Sequence, residues 1–186
     1  MYNFIISVDR FIIEFVQKYM HNSFLDKIMP FITSLGNIGL VWIIISIIML
    51  ISKKYRKAGI LGIYSLIISA VLGELLLKNI IGRSRPFMEI TSIKLLIPKP
   101  ISYSFPSGHT ASSFAAVAAF IKVIDNKIVI IPLALLGILI AFSRIYLLVH
   151  YPSDILGGIV LGLISAKLAS IYLIFREKKS VAFNKK

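Results

Sequence analysis

Cysteine is missing from this chain, which excludes disulfides, thiolate metal sites and a cysteine nucleophile, and leaves the redox compartment open. Acidic residues are scarce as well. Only 8 Asp and Glu stand against 21 Lys and Arg in 186 residues, a formal net charge of +13. The chain also lacks the polar residues needed to cover a soluble domain: 58% of it is hydrophobic and its mean hydropathy is +0.88. That composition belongs to an integral membrane protein. No linker, long repeat or low-complexity segment divides the sequence, so residues 1–186 read as a single membrane-embedded domain. A cleavable signal peptide is not expected either, since Asp9, Arg10 and Glu14 interrupt the first apolar run.

The excess positive charge does not form a face for nucleic acid. It gathers where apolar runs end, at Lys53, Lys54, Arg56 and Lys57, and again at Arg176, Lys178, Lys179, Lys185 and Lys186. Basic clusters in those places orient membrane helices by holding their loops in the cytoplasm. Apolar runs of helical length cover 35–51, 58–77, 107–124, 128–149 and 155–175. Ahead of them, Phe4, Ile5, Val8, Phe11, Ile12, Phe15 and Tyr19 recur at helical spacing among charged residues, which predicts an amphipathic helix. An interfacial and a spanning placement both fit that helix. The fold class is therefore all-α, a polytopic membrane helical bundle. His21 reads as a surface histidine, and Glu74 as the i,i+4 partner of Lys78. Gly158, Gly162, Ala166 and Ser170 form a small-residue stripe suited to close helix packing.

Three stretches depart from this pattern, each where an apolar run ends or starts: 78–86 (KNIIGRSRP), 106–109 (PSGH) and 143–154 (SRIYLLVHYPSD). Ionisable residues in such places are functional-site hypotheses by default. If Lys53 to Lys57 is cytoplasmic, the alternation of helices puts all three stretches on the extracytoplasmic face of the cell membrane. Lys78, Arg85 and Arg144 together then favour an anion, with the planar forks of arginine matching phosphate oxygens. Ser107, Gly108 and His109 open a helix, where backbone amides and the helix dipole also favour an anion. Ser107 is placed to cap that helix and to donate its hydroxyl to phosphate, while Gly108 permits close approach. A neutral imidazole oriented by a carboxylate is a good nucleophile, and His150 and Asp154 are spaced for that pairing. Tyr151-Pro152 disfavours one continuous helix, so the pair is expected across a helix junction. His109 is left free as general acid and base.

Lys78, six residues, then Arg85-Pro86; Pro106-Ser107-Gly108-His109; and Ser143-Arg144, five residues, His150, three residues, Asp154 together resemble the three-part signature of the type 2 phosphatidic acid phosphatase superfamily. No signature position departs from it. The resemblance implies a bundle of about six helices, with the amphipathic segment as the first. It also implies a metal-independent, cofactor-free lipid phosphatase working through a phosphohistidine. His150 would be the nucleophile, Asp154 its partner and His109 the acid and base. Lys78, Arg85, Ser107, Gly108, His109 and Arg144 would contact phosphate. The partners implied are a lipid phosphate substrate and the bilayer. Undecaprenyl diphosphate is favoured, with phosphatidylglycerol phosphate and phosphatidate as alternatives; the sequence sets no oligomeric state. Two other classes compete. His109, His150 and Asp154 could form a two-His-one-carboxylate metal site, which the neighbouring cations would oppose, or the site could belong to an anion transporter without chemistry. The haloperoxidase branch of the same superfamily is soluble and fits this chain poorly.

Overall fold

The molecule, a computed structural model, is described at residues 2–90 and 93–183; Lys185 and Lys186 of the predicted basic tail lie outside them. Among the described residues all regular structure is helical. In chain order the helices are α1 (Tyr2–Tyr19), α2 (Ser23–Leu35), α3 (Leu40–Ile51), α4 (Arg56–Ala70), α5 (Lys78–Ile81), α6 (Pro86–Glu89), α7 (Gly108–Ile121), α8 (Lys127–Tyr146) and α9 (Pro152–Phe183). A π-helical stretch, Val71–Leu77, joins α4 to α5, and the run Arg56–Glu89 is long and apolar enough to cross a bilayer, as are α8 and the Pro152–Lys178 part of α9. Helices α2 and α3 could form a fourth crossing, bent by 46°. With α2–α3 and the run from α4 to α6 each taken as one unit beside α1, α7, α8 and α9, the described residues make six units, in line with the expected bundle of about six helices.

The α2–α3 bend refines that expectation. The run from Leu35 to Ile51 reads as one helix by composition, but the chain breaks at Gly36–Gly39. Ile38 (φ 56°) and Gly39 (φ 69°) both take left-handed backbone there. Glycine adopts that conformation freely; a β-branched residue does so at a cost of about 1–3 kcal/mol that the surroundings must impose.

Helix α7 is the centre of the bundle. At 14 residues it is about 21 Å long, too short to cross alone, and it packs against α4, α8 and α9. Ala111, Ala115, Ala116 and Ala119 are buried along it, and small residues there let helices approach closely where lipid supplies no hydrophobic drive between them. The stripe on α9 meets it. A Cβ on Gly162 would lie 2.7 Å from both the Ala111 carbonyl oxygen and the Ala115 nitrogen, and one on Gly158 would lie 2.8 Å from the Ser107 carbonyl. Around this seam Trp42, Phe120 and Ile140 form an apolar cluster without exposure, and Trp42 Nε1 donates to Ser113 Oγ at 2.9 Å.

Helix α1 leaves one face exposed, with Phe4 and Phe11 more than two-thirds accessible, and buries Asp9, Ile13 and Val16. Those apolar residues pack on the loop 147–151. His21 differs from its expected surface role: its Nδ1 lies 2.8 Å from Asp26 Oδ1 and its ring stacks on Tyr146 at 4.2 Å. The helices α4, α7, α8 and α9 alternate in direction, and Arg176 Nη1 donates to Tyr64 Oη at 3.1 Å, which sets the end of α9 beside α4. The special stretches thus share one end of the bundle, and the turns at Lys53 to Lys57 and Lys122 to Lys127 lie at the other.

Candidate active site

The α4–α5 run brings in the first cations. Through Val71–Leu77 the hydrogen bonds widen to the π pattern, and such a bulge rotates the residues after it relative to those before. Lys78 is consequently buried, with Nζ donating to Glu74 at 2.8 Å and to Ser102 Oγ at 3.1 Å. The expected Glu74–Lys78 pair forms, but it faces a cavity. Gly82, at φ 61°, ends the helix with its amide on the Lys78 carbonyl, and left-handed backbone suits glycine there. Arg85 follows, only 3% exposed. It donates from Nε to the Ser102 carbonyl (2.7 Å), from Nη2 to Ser102 Oγ and the Tyr103 carbonyl (3.1 Å each), and from Nη1 to the Val149 carbonyl (2.8 Å). This arginine ties the 102–104 segment to the loop before His150.

Ser107 is fully buried and caps α7, accepting from Thr110 N at 3.5 Å and Thr110 Oγ1 at 3.0 Å, while its own amide donates to the Asp154 carbonyl at 3.1 Å. Gly108 faces Glu74 and Lys78 so closely that a Cβ would collide with the Glu74 carboxylate. Gly36 makes a similar close approach, because a Cβ there would lie 2.7 Å from His109 Cδ2. Beside it Asn37 Oδ1 lies 3.0 Å from His109 Nε2. His109 Nε2 therefore stands between an acceptor, the Asn37 amide oxygen, and a donor, Arg144 Nη1. Arg144, 4% exposed, donates from Nη1 to Thr33 Oγ1 at 2.6 Å and comes within 3.4 Å of His109 Nε2. Its Nε is buried and has no partner among the described residues.

Helix α8 ends at Tyr146 and α9 starts at Pro152, so His150 and Asp154 do lie across a junction. Arg85 Nη1 is 3.2 Å from His150 Nε2. Arginine can only donate, so Nε2 presents a lone pair and Nδ1 holds the proton. Around Nδ1 stand the Ser104 backbone, Asp154 Oδ2 at 3.4 Å and Ser104 Oγ at 3.4 Å. Asp154 is wholly buried; its Oδ2 accepts from Ser104 Oγ (2.5 Å) and Tyr151 N (2.9 Å), and its Oδ1 from Arg83 Nη1 (2.7 Å). Burial, followed by the fields of Arg144, Arg85 and Lys78, pushes the pKa of His150 well below the usual histidine value. The ring is neutral, its lone pair available at neutral pH.

Lys78, Arg85, Gly108, His109, Arg144 and His150 all line one cavity of about 680 Å³, whose far side is apolar with Ile43, Ile63, Leu66 and Ile67. Ser107 and Asp154 stand behind its wall. Sequence spacing missed Asn37, Thr33, Arg83, Ser104 and Asp9, all of which touch the expected residues directly or through one neighbour. Two imidazoles thus line one cationic chamber, His150 with an Nε2 lone pair toward Arg85 and His109 with its Nε2 between Asn37 and Arg144. An anion with a long apolar tail matches both halves.

Residues 58–178 match the PAP2 superfamily. An undecaprenyl-diphosphatase of Sulfolobus acidocaldarius is 35% identical over 78% of this chain and 69% of its own. The undecaprenyl-diphosphatase BcrC of Bacillus subtilis is 36% identical over 77% of this chain and 72% of its own. The crystal structure of a transmembrane PAP2-type phosphatidylglycerolphosphate phosphatase from Bacillus subtilis superposes with a TM-score of 0.72 at 29% identity, covering 95% of this chain and 88% of that one.

The state of His150 is open to direct measurement. With three histidines in the chain, ¹⁵N-histidine spectra of the free protein in detergent should show the His150 ring neutral between about pH 5.5 and 8. Because the folded pKa is depressed, this ring supports the fold fully above the unfolded value of about 6.5, and that support falls away as pH drops below it. A His150 midpoint near 6.5 would contradict the neutral ring.

Proposed function

Because the chain belongs to the PAP2 superfamily and is a membrane lipid phosphatase, we propose that the cavity hydrolyses a lipid phosphate or diphosphate by way of a phosphohistidine on His150. The observation that carries this reading is the buried Nε of Arg144, without a partner among the described residues, on a residue that lines the same cavity as His150, whose Nε2 lone pair is turned to Arg85 Nη1 at 3.2 Å. A buried charged donor without a partner costs several kcal/mol, and a phosphate oxygen would remove that cost.

Lys78, Arg85 and Arg144 hold the equatorial oxygens of the phosphoryl group, where positioned cations do most of the work in phosphoryl transfer. Ser107 and Gly108 set the start of α7 beside them. His150 Nε2 attacks phosphorus in line as the bond to the leaving oxygen breaks; His109, protonated to the imidazolium beside the bound anion, gives that oxygen a proton and returns to the neutral ring. Asp154 and the Ser104 carbonyl hold the Nδ1 proton of His150 while the ring becomes positive. Water then attacks the phosphohistidine, giving a proton to His109, and phosphate leaves with His150 restored. The same cations disfavour a metal at His109, His150 and Asp154, and a transporter would have no use for a nitrogen nucleophile backed by a carboxylate.

The apolar side of the cavity suits the lipid chain. Of the candidate substrates, undecaprenyl diphosphate is favoured through the similarity to the two undecaprenyl-diphosphatases, and phosphatidylglycerol phosphate is the second choice through the structural neighbour. Purified protein in excess chelator should release phosphate from a panel of these lipids and phosphatidate, fastest from undecaprenyl diphosphate. Loss of activity on chelation, or silence with every lipid phosphate, would remove the reading; a faster rate on phosphatidylglycerol phosphate would reassign the substrate alone.

The active site is further proposed to face away from the cytoplasm, on the strength of the basic turn at Lys53 to Lys57 at the opposite end of the bundle. The absence of cysteine makes labelling clean. In intact cells an impermeant thiol reagent should modify Lys94→Cys, on the site side, and spare Lys53→Cys. The reverse pattern would place the site on the cytoplasmic face.

A further inference from the structure

Arg83 stands inside the first signature stretch, in a position the signature leaves free, yet among the described residues it makes two ion pairs, more than any of the signature cations Lys78, Arg85 and Arg144. Its Nη1 donates to Asp154 Oδ1 and to Ser153 Oγ, each at 2.7 Å, and its Nη2 donates to Asp9 Oδ2 at 2.7 Å. The guanidinium carbon lies over the Tyr151 ring, 4.0 Å from its centroid. Asp9 comes from the middle of α1 and is 2% exposed. Besides Arg83 it accepts from Ser153 N at 2.8 Å and from Ser153 Oγ at 2.5 Å. A carboxylate is buried this completely only where its charge is met, and here one side chain from the first helix holds both Arg83 and the opening turn of α9.

We propose that Arg83, clamped by Asp9 of α1, is a positioning residue that fixes the orientation and charge of Asp154 and through it the nucleophilic nitrogen of His150. This rests on the phosphohistidine reading above. Asp154 Oδ2 is already shared among Ser104, Tyr151 and His150, so it cannot hold the carboxylate plane alone. Among the described residues Arg83 is the cation on Oδ1. The chain Asp9–Arg83–Asp154 carries one net negative charge, which the ring of His150 balances when it turns positive on bonding phosphorus. Without Arg83, two buried carboxylates would face each other across one serine, and one would take up a proton. Asp154 would then lose its hold on the Nδ1 proton. Helix α1 thereby becomes part of the reaction's framework, as well as a helix with one lipid-facing side.

The phosphate cradle of Lys78, Arg85 and Arg144 makes no hydrogen bond to Arg83 in the structure, which separates positioning from anion binding. Arg83→Gln should lower kcat on the order of tenfold to a hundredfold, the scale seen when a group behind a ligand is removed. The competitive inhibition constant of inorganic phosphate should stay within about threefold, since its ligands are intact. Asp9→Asn should lower kcat about tenfold in the wild-type chain and much less in the Arg83→Gln background, because coupled residues are not additive. Arg83→Lys should recover part of the rate. If Arg83→Gln does not fold, Arg83→Lys and Asp9→Asn decide at matched melting temperatures. The proposal is overturned by wild-type kcat in the Arg83 variants, by phosphate affinity falling in step with kcat, or by an Asp9→Asn loss of the same factor in both backgrounds. A wild-type chain releasing no phosphate from any lipid would instead fail the phosphatase reading itself.

Discussion

Lys78, Arg85 and Arg144 are buried together at one end of a membrane bundle, and Glu74 is the carboxylate that faces the cavity with them among the described residues. Taking such charges out of water costs several kcal/mol each unless hydrogen bonds or counter-charges offset it. Much of the architecture near the site is the answer to that constraint. Arg85 is held by backbone carbonyls of Ser102, Tyr103 and Val149, Lys78 by Glu74 and Ser102, and Arg144 by Thr33 at the end of α2. What these partners leave uncommitted, above all Arg144 Nε, is the part of the field a phosphate would meet. Burial first, and then the fields of the same cations, keep His150 neutral, so the charges that would bind phosphate also favour a free imidazole lone pair.

The bilayer shapes the rest. Because lipid gives little drive for helices to associate, the site must be held by close fit, and the seam of α7 and α9 supplies it through Gly158, Gly162 and the alanines of α7. That seam fixes Ser107 against Asp154 by a backbone hydrogen bond, tying the start of the helix that bears His109 to the first turn of the helix that bears Asp154. The break at Gly36–Gly39 does the complementary job on the other side. It turns α3 down along the apolar half of the cavity while bringing Asn37 to His109 and Gly36 against its ring.

Much of this was legible in the amino-acid order. Hydropathy gave the helices, and Tyr151-Pro152 marked the junction that separates His150 from Asp154. The signature residues converge because each sits at the same end of its helix, which alternation of helices dictates. Other parts were hidden for physical reasons. Asn37, Ser104 and Asp9 are ordinary polar residues whose roles depend on partners 72, 50 and 74 positions away, and no local spacing announces them. Arg83 looked like one more basic residue at a helix end. The π-helical turn before Lys78 leaves no mark on hydrophobic periodicity, and it brings the Glu74–Lys78 pair to the cavity. The left-handed Ile38 runs against its own propensity, so only the packing of Gly36 on His109 and Ile140 explains the sharp bend.

The central claim is that His150 takes the phosphoryl group and His109 serves the leaving oxygen and the water. Rapid quench with ³²P-labelled lipid substrate, followed by peptide mapping, tests it directly. An acid-labile, alkali-stable phosphohistidine should map to His150. His150→Ala should abolish it together with turnover, and His109→Ala should still form it from a substrate with an activated leaving group and release it slowly. Label on His109, or full turnover in His150→Ala, would contradict the account.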